Sequence, residues 1–406
     1  MSSCQEPLEI LEQEIERFAK EKNITNPKFH FSNASKDGDN FLGSLYRVRI
    51  ESEENGEENR EMNLIFKCLP ISGEFRHLLR TENLFLSEIN FYETRFPLFR
   101  KLLEKYDMTM DEVPEYYGCR NLPGNKIIIM EDLNAKGYVM KESKLLDYSH
   151  AAMAVRCLGK FHACSFALRD KRPEEFELLK NIEEPLFPAP EQLSDHFDAL
   201  MDVALEAIKD EDEYYTASVK GLKQNLTQLI TDACDGKNSE PYATLNHGDM
   251  WTNNMLFKYN ENREPVDFRL LDYQLCRYGS PSLDLMYMIM TCCTPEMRRK
   301  YCNQLLHDYY DSLSNCLKNM DCDVKKLLPF KVLIGHFQKF GVFSTIISLV
   351  DIHLIAQQDG EDIQPLTDIE YIKSLRNRLK TNKLYYNMMK SAVKDMVDKT
   401  FICVPY

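Results

Sequence analysis

Asn246-His247-Gly248-Asp249-Met250-Trp251-Thr252-Asn253-Asn254, read with Leu271-Asp272-Tyr273-Gln274, decides the fold of this chain. The first segment places a carboxylate at Asp249 and an amide five residues later at Asn254. A second carboxylate, Asp272, follows eighteen residues after Asn254. Moving a phosphoryl group from ATP to a hydroxyl needs such a set. One carboxylate orients and deprotonates the attacking oxygen, and two oxygen ligands hold Mg²⁺. The catalytic loop of protein kinases has the same order and spacing, with a histidine where His247 stands. A lone His-Gly-Asp would be an ordinary turn. The full constellation, with a short apolar strand on each side, points instead to Asp249 as base and to Asn254 and Asp272 as metal ligands.

Upstream segments supply parts that would hold a nucleotide. Gly38-Asp39-Asn40-Phe41-Leu42-Gly43-Ser44 lies between two strand-like runs. Glycines let backbone N–H groups approach phosphates, so Gly38, Asn40 and the Ser44 hydroxyl are candidate contacts. A plain hairpin turn would read the same way. Lys67 lies in the apolar run Leu64-Ile65-Phe66-Lys67-Cys68-Leu69, where a lysine is costly to bury without a partner. It is either an outward-facing lysine at a sheet edge or the phosphate-contacting lysine held by a glutamate of the next helix. Glu88 is the best candidate for that glutamate, since Phe85, Ile89 and Tyr92 mark an inward face around it. Glu82 and Glu93 are alternatives. Ile127-Ile128-Ile129-Met130-Glu131-Asp132-Leu133 is an apolar strand ending in two acids and a leucine. It is a candidate hinge whose backbone, at Glu131 and Leu133, would read an adenine edge.

Periodicity around these segments predicts an α+β protein. Leu8, Leu11, Ile15 and Phe18 recur at helical spacing. Strand-like runs follow at 28–31, 41–50 and 62–69, then a long helical pattern from about Arg76 to Tyr106, then short strands near 115–117 and 126–130. Residues 1–133 are expected to form a small antiparallel sheet lobe with one long helix. Residues 134–406 are expected to form a larger, mostly helical lobe, with helices at 148–168, 192–208, 214–234, 282–293, 296–317, 324–358 (broken) and 368–397. The proline-rich segment Arg172–Pro190 reads as a loop that either lies over the site or, the favoured reading, connects helices. Ser282 is expected to cap its helix, and Asp284 to be structural, hydrogen-bonded to the Asp249 loop. His162 reads as a satisfied core histidine.

Bulk properties exclude several classes. The net charge of −14 argues against a nucleic-acid footprint, which needs basic patches. The apolar stretch Phe340–Val350 is closed by Lys339 and Asp351 after 11 residues, short of the roughly 20 that a membrane span needs, and reads as a buried helix. Thirteen cysteines without a CxxC pair, behind a start lacking a signal-peptide pattern, suggest reduced thiols and a cytoplasmic setting.

These segments resemble the ecdysteroid kinase-like (CHK-kinase-like) family, relatives of aminoglycoside phosphotransferases and choline kinases. The residues that carry the resemblance are His247-Gly248-Asp249, Trp251, Asn254, Phe257, Asp272, Gln274, Gly279-Ser280-Pro281 and Asp284-Leu285. Glu131-Asp132-Leu133, Phe161-His162-Ala163, Phe85, Glu88 and Tyr92 support them. The resemblance implies a protein-kinase-like two-lobe fold that binds ATP and Mg²⁺. It implies transfer of the γ-phosphoryl group to a small-molecule alcohol: an ecdysteroid, another steroid or a xenobiotic inactivated by phosphorylation. Competing readings are a non-catalytic nucleotide-binding protein of this fold and a choline- or ethanolamine-type kinase. A choline cage needs aromatic and acidic walls, and the sole tryptophan, Trp251, lies in the catalytic loop. A protein kinase is disfavoured, since only 12 residues separate Asp272 from Asp284 and the Asp-Phe-Gly and Ala-Pro-Glu landmarks are missing.

Overall fold

Period-two alternation of apolar residues builds the first sheet. The computed structural model describes residues 5–34, 43–52, 60–69, 80–187, 190–358, Glu361, Gln364, Leu366 and 368–398. Gly38 and Asn40 lie outside these residues. The chain divides into two units, Met1–Ile89 with Pro114–Val139, and Asn90–Val113 with Met140–Tyr406.

The first unit holds an antiparallel sheet of β1 (Lys28–Asn33), β2 (Ser44–Ser52), β3 (Arg60–Cys68), β4 (Tyr116–Leu122) and β5 (Asn125–Glu131). Its strand order is β1-β2-β3-β5-β4. Val48, Ile50, Leu64, Phe66, Ile127 and Ile129 share one face and pack on Leu11, Ile15 and Phe18 of α1 (Gln5–Glu21). Side chains alternate along a strand, so Lys67 turns to the opposite face from Phe66. Lys67 stands opposite Leu45 on one neighbour and Ile128 on the other, so it belongs to an inner strand and not to an edge.

The long helical run arrives in pieces. Its described part is α2 (Thr81–Asn90), a π-turn over Phe91–Arg95 and α3 (Phe96–Glu104). Pro97 lacks the N–H that a continuous helix would donate, and the wider turn before it absorbs the mismatch.

The second unit is mainly helical: α4 (Tyr148–Lys171), α5 (Pro173–Lys180), α6 (Ser194–Ala207), α7 (Glu213–Gln224), α8 (Leu226–Cys234), α9 (Ser282–Cys292), α10 (Pro295–Asn319), α11 (Val324–Leu327), α12 (Phe330–Ile355), α13 (Ile369–Thr381) and α14 (Lys383–Asp398). After the short β6 (Val139–Met140), strands β7 (Thr244–Asn246), β8 (Met255–Tyr259), β9 (Pro265–Leu270) and β10 (Arg277–Gly279) carry the segment with Asp249, Asn254 and Asp272. Helices α4 and α10 approach so closely that a Cβ on Gly159 would lie 2.5 Å from the Tyr309 carbonyl oxygen. By length and composition, Val324–Ile355 could cross a membrane, yet 61% of its apolar window is buried inside the protein. Helix α12 packs on α9 as a core helix. The α+β class expected from the sequence is borne out.

Three local expectations are corrected. The segment Arg172–Pro190 contains α5, which opens on Pro173, carries Glu174 and Glu175 in its first turn and ends in Lys180. Those are ordinary helix start and stop signals, hidden among prolines. The runs 214–234 and 368–397 break at Asn225 and Asn382, and Asn382 accepts a hydrogen bond from the Tyr385 N–H to start α14. Ser282 is not a cap. The Ser280 hydroxyl accepts from the Ser282 N–H at 3.2 Å.

Candidate active site

The β8–β9 hairpin assembles the metal-ligand candidates by register alone. Met255 pairs with Leu270, and the Leu271 N–H donates to the Asn254 carbonyl at 2.9 Å. Asp272 therefore leaves the hairpin one residue beyond Asn254's partner, in a left-handed backbone conformation (φ 68°, ψ 72°) that aspartate tolerates better than most residues. The Asn254 Nδ2 donates at 2.9 Å to both the backbone oxygen and Oδ2 of Asp249. With both amide protons so used, its oxygen is the group left to donate an electron pair. An amide oxygen and a nearby carboxylate suit Mg²⁺. No group of three or more His, Cys, Asp or Glu among the described residues could hold a metal unaided. An ion here would complete its shell with phosphate oxygens and water.

The loop before Asn254 is anchored from below. Buried Asp284, in the first turn of α9, accepts from the His247 N–H at 2.7 Å and the Gly248 N–H at 2.8 Å, as expected. Burial opposes the Asp284 charge, but the His162 hydrogen bond, the nearby imidazoles and the Gly248 amide hold its carboxyl below the usual range. His162 also contacts the Tyr309 hydroxyl at 2.9 Å, so it is the satisfied core histidine expected. The His247 Nδ1 accepts from the Asp249 N–H at 3.2 Å, so its proton resides on Nε2, which donates to the Leu271 carbonyl at 2.9 Å. Burial lowers the His247 pKa and keeps this ring neutral. One ring thus ties the Asp249 segment to the strand end that carries Asp272. Gly248 has φ +87°, and a Cβ there would lie 1.9 Å from the Leu275 carbonyl oxygen. Only glycine fits that position.

Tyr273 lies beneath the loop. Its ring stacks on Phe91 with centroids 3.9 Å apart and meets His247 edge-on at 4.7 Å.

Two side chains that the sequence reading did not single out complete the surroundings of Asp249. The Tyr287 hydroxyl, on α9, lies 3.3 Å from Asp249 Oδ1 and 2.5 Å from Oδ2 of Asp351, on α12. Burial, then the charges of Asp272 and Asp351, push the Asp249 carboxyl up to about 8. Burial pushes Asp351 up to about 6. A bound divalent cation reverses such shifts. The signals in the sequence were faint. Tyr287 is one hydroxyl on an otherwise apolar face three residues after Asp284, and Asp351 reads as the charge closing an apolar run.

Within the sheet unit, Lys67 and Glu88 meet at 2.6 Å, and both are buried. The Lys67 ammonium also lies 5.6 Å from the centre of the Phe85 ring. The alternatives to Glu88 lie elsewhere: Glu82 pairs with Lys126 at 3.4 Å, and Glu93 is exposed in the π-turn. Ser44 opens β2 opposite Cys68, one position from the Lys67 pair, and is exposed. Glu131 ends β5, where its carboxylate accepts from the Glu115 N–H at 2.8 Å and pairs with Lys136. The amides of Glu131 and Asp132 already donate to the carbonyls of Glu115 and Asn63. Leu133 is buried and starts a 3₁₀ turn capped by Asp132.

Comparison with known proteins adds relatives. The chain is similar to an ethanolamine kinase of Plasmodium vivax, with 12% identity and a TM-score of 0.45 over 95% of this chain and 88% of that one. It is similar to a microcompartment-associated aminopropanol kinase, with 13% identity and a TM-score of 0.45 over 95% and 97% of the two chains. A GDP complex of aminoglycoside 2'-phosphotransferase-IIIa gives 13% identity and a TM-score of 0.40 over 92% of each chain. A stretch of 56 residues is 43% identical to a 4-hydroxytryptamine kinase of Psilocybe cyanescens, covering 14% of this chain and 15% of that relative. Residues 37–322, the greater part of the chain, match the pattern of one family throughout. With the Asp249 loop, the β8–β9 hairpin and the α9 anchor all inside that span, the chain belongs to the ecdysteroid kinase-like family.

Proposed function

We propose that this protein is an ATP- and Mg²⁺-dependent phosphotransferase that moves the γ-phosphoryl group to a hydroxyl of a small molecule. The observation that carries this reading is the Asp249–Asn254 hydrogen bond on the hairpin that also ends in Asp272. Asp249 orients the acceptor hydroxyl and takes its proton as the oxygen attacks. Asn254 and Asp272 hold the metal. Bound Mg²⁺ offsets charge on the phosphates during transfer. Lys67, kept in place by Glu88, grips the α- and β-phosphates. Gly38, Asn40 and Ser44 cover the phosphates, and the segment from Glu131 to Leu133 reads the base. Family membership supports an alcohol acceptor, with ecdysteroids, other steroids and xenobiotics as the classes to test first. Most of the described cysteines are buried, and a cytoplasmic setting is part of this proposal.

The test is incubation of the purified chain with MgATP and a panel of sterols, alkaloids, glycosides and amino alcohols, read by mass spectrometry for a gain of HPO₃. Asp249→Asn is expected to cut turnover by roughly 10³-fold while ATP affinity changes only a few-fold. ATP binding indifferent to Mg²⁺, with no alcohol labelled, would establish a non-catalytic binding protein instead. Undiminished turnover in Asp249→Asn would remove the role given to that residue.

A further inference from the structure

We infer that Tyr287 is a positioning residue for Asp249, and that Asp351 is the anchor that holds Tyr287 in place. The inference rests on the reading of Asp249 as the base.

One face of α9 grips three consecutive loop residues. Asp284 takes the backbone N–H groups of His247 and Gly248. Tyr287, three residues along and so on the same side of the helix, reaches the Asp249 side chain. The two oxygens of that carboxylate are held by different elements. Oδ2 accepts from Asn254 at 2.9 Å, and Oδ1 faces the Tyr287 hydroxyl at 3.3 Å. Contact at both oxygens restricts rotation of the carboxylate, which a base must aim at one lone proton.

A phenol carries a single proton and can turn about its C–O bond. The 2.5 Å contact to Asp351 fixes the position of the phenol oxygen, and the one phenol proton serves either that carboxylate or Asp249 Oδ1. Asp351 lies on α12, which packs along α9. Among the described residues no basic side chain lies within ion-pair reach of Asp351, and Tyr287 is the partner that its carboxylate has. Tyr287 itself is 6% exposed, so its hydroxyl is held within the protein.

The experiment compares Tyr287→Phe, Asp351→Ala and Asp351→Asn with the unaltered chain. Tyr287→Phe is expected to lower kcat roughly 10- to 100-fold, with the KM values for ATP and acceptor within about three-fold. Asp351→Ala should follow it. Asp351→Asn, which keeps an oxygen acceptor for the phenol, should retain most of the rate. Because Tyr287 acts through Asp249, adding Tyr287→Phe to Asp249→Asn should cost nothing more. Unchanged kcat, a loss confined to the acceptor KM, or a full additional loss in the double variant would overturn the inference. A chain that labels no acceptor would remove the proposed function while leaving this contact testable. A thermal-unfolding cycle over Asp249→Asn, Tyr287→Phe and the double variant should then give non-additive shifts, and strict additivity would reject the contact.

Discussion

The two units handle charge in opposite ways. In the sheet unit, Lys67 faces Glu88 at 2.6 Å and the pair is neutral within the protein. In the helical unit, Asp249 and Asp351 share the Tyr287 hydroxyl, and among the described residues neither has a basic side chain within ion-pair reach. Asp272 adds its negative charge to Asp249. A low-dielectric setting penalises unbalanced charge of this kind. The first arrangement is complete in the chain alone. The second becomes balanced only when positive charge arrives from outside, and under the proposed function a divalent cation on the hairpin would supply it. Under the proposed function, the difference separates a part that balances its own charge from a part that receives a ligand.

The sharpest way to break this contrast is to remove one partner on the paired side. Lys67→Met removes the ammonium that the buried Glu88 carboxylate meets at 2.6 Å, which should cost about 3–5 kcal/mol in urea unfolding. Loss of the phosphate contact should lower kcat/KM by roughly 10²- to 10³-fold. Adding Glu88→Leu should restore most of the stability and none of the activity. A double variant as unstable as Lys67→Met would show that charge pairing is not what the site contributes.

A smaller effect tests the ligand side. MgATP at about 100 times its Kd should stabilise the protein by ~2.7 kcal/mol, read as a rise in Tm. Chelating the metal, or the change Asp272→Asn, should remove the Mg²⁺-dependent part of that rise. A shift indifferent to both would dissociate Asp272 from the metal.

The smallest effect is a pH dependence. Burial raises Asp351 to about 6, from an ordinary aspartate value of 3.8. Between those values the folded chain holds a proton that the unfolded chain has lost, so stability falls as pH rises from about 4 to 6. Asp351→Asn should flatten this slope and, after discounting for partial exposure, stabilise the protein at pH 8 by about 1–2 kcal/mol. A destabilised Asp351→Asn at pH 8 would mean that the charge itself is needed.

Much of the site was legible because its geometry is local. The five-residue step from Asp249 to Asn254 and the strand pattern around Asp272 foretell one hairpin, and the register delivers it. Asp284 was legible from the turn that starts α9. Helix α5 was missed because prolines on both sides masked ordinary capping signals. The break before α3 was missed because the apolar period continues across the π-turn. Lys67 remained open between an edge and a paired position, since a strand does not announce its neighbours.

By itself, then, the sequence determined the identity and order of the chemical groups and the hairpin that joins Asn254 to Asp272, since backbone hydrogen bonding turns short spacing into fixed distance. Tertiary structure set Glu88, which the sequence pattern ranked first, against Lys67, and it brought Tyr287 to Asp249 across 38 residues and Asp351 to Tyr287 across 64. Contacts of that range follow from which helix faces pack together. No local period encodes that packing.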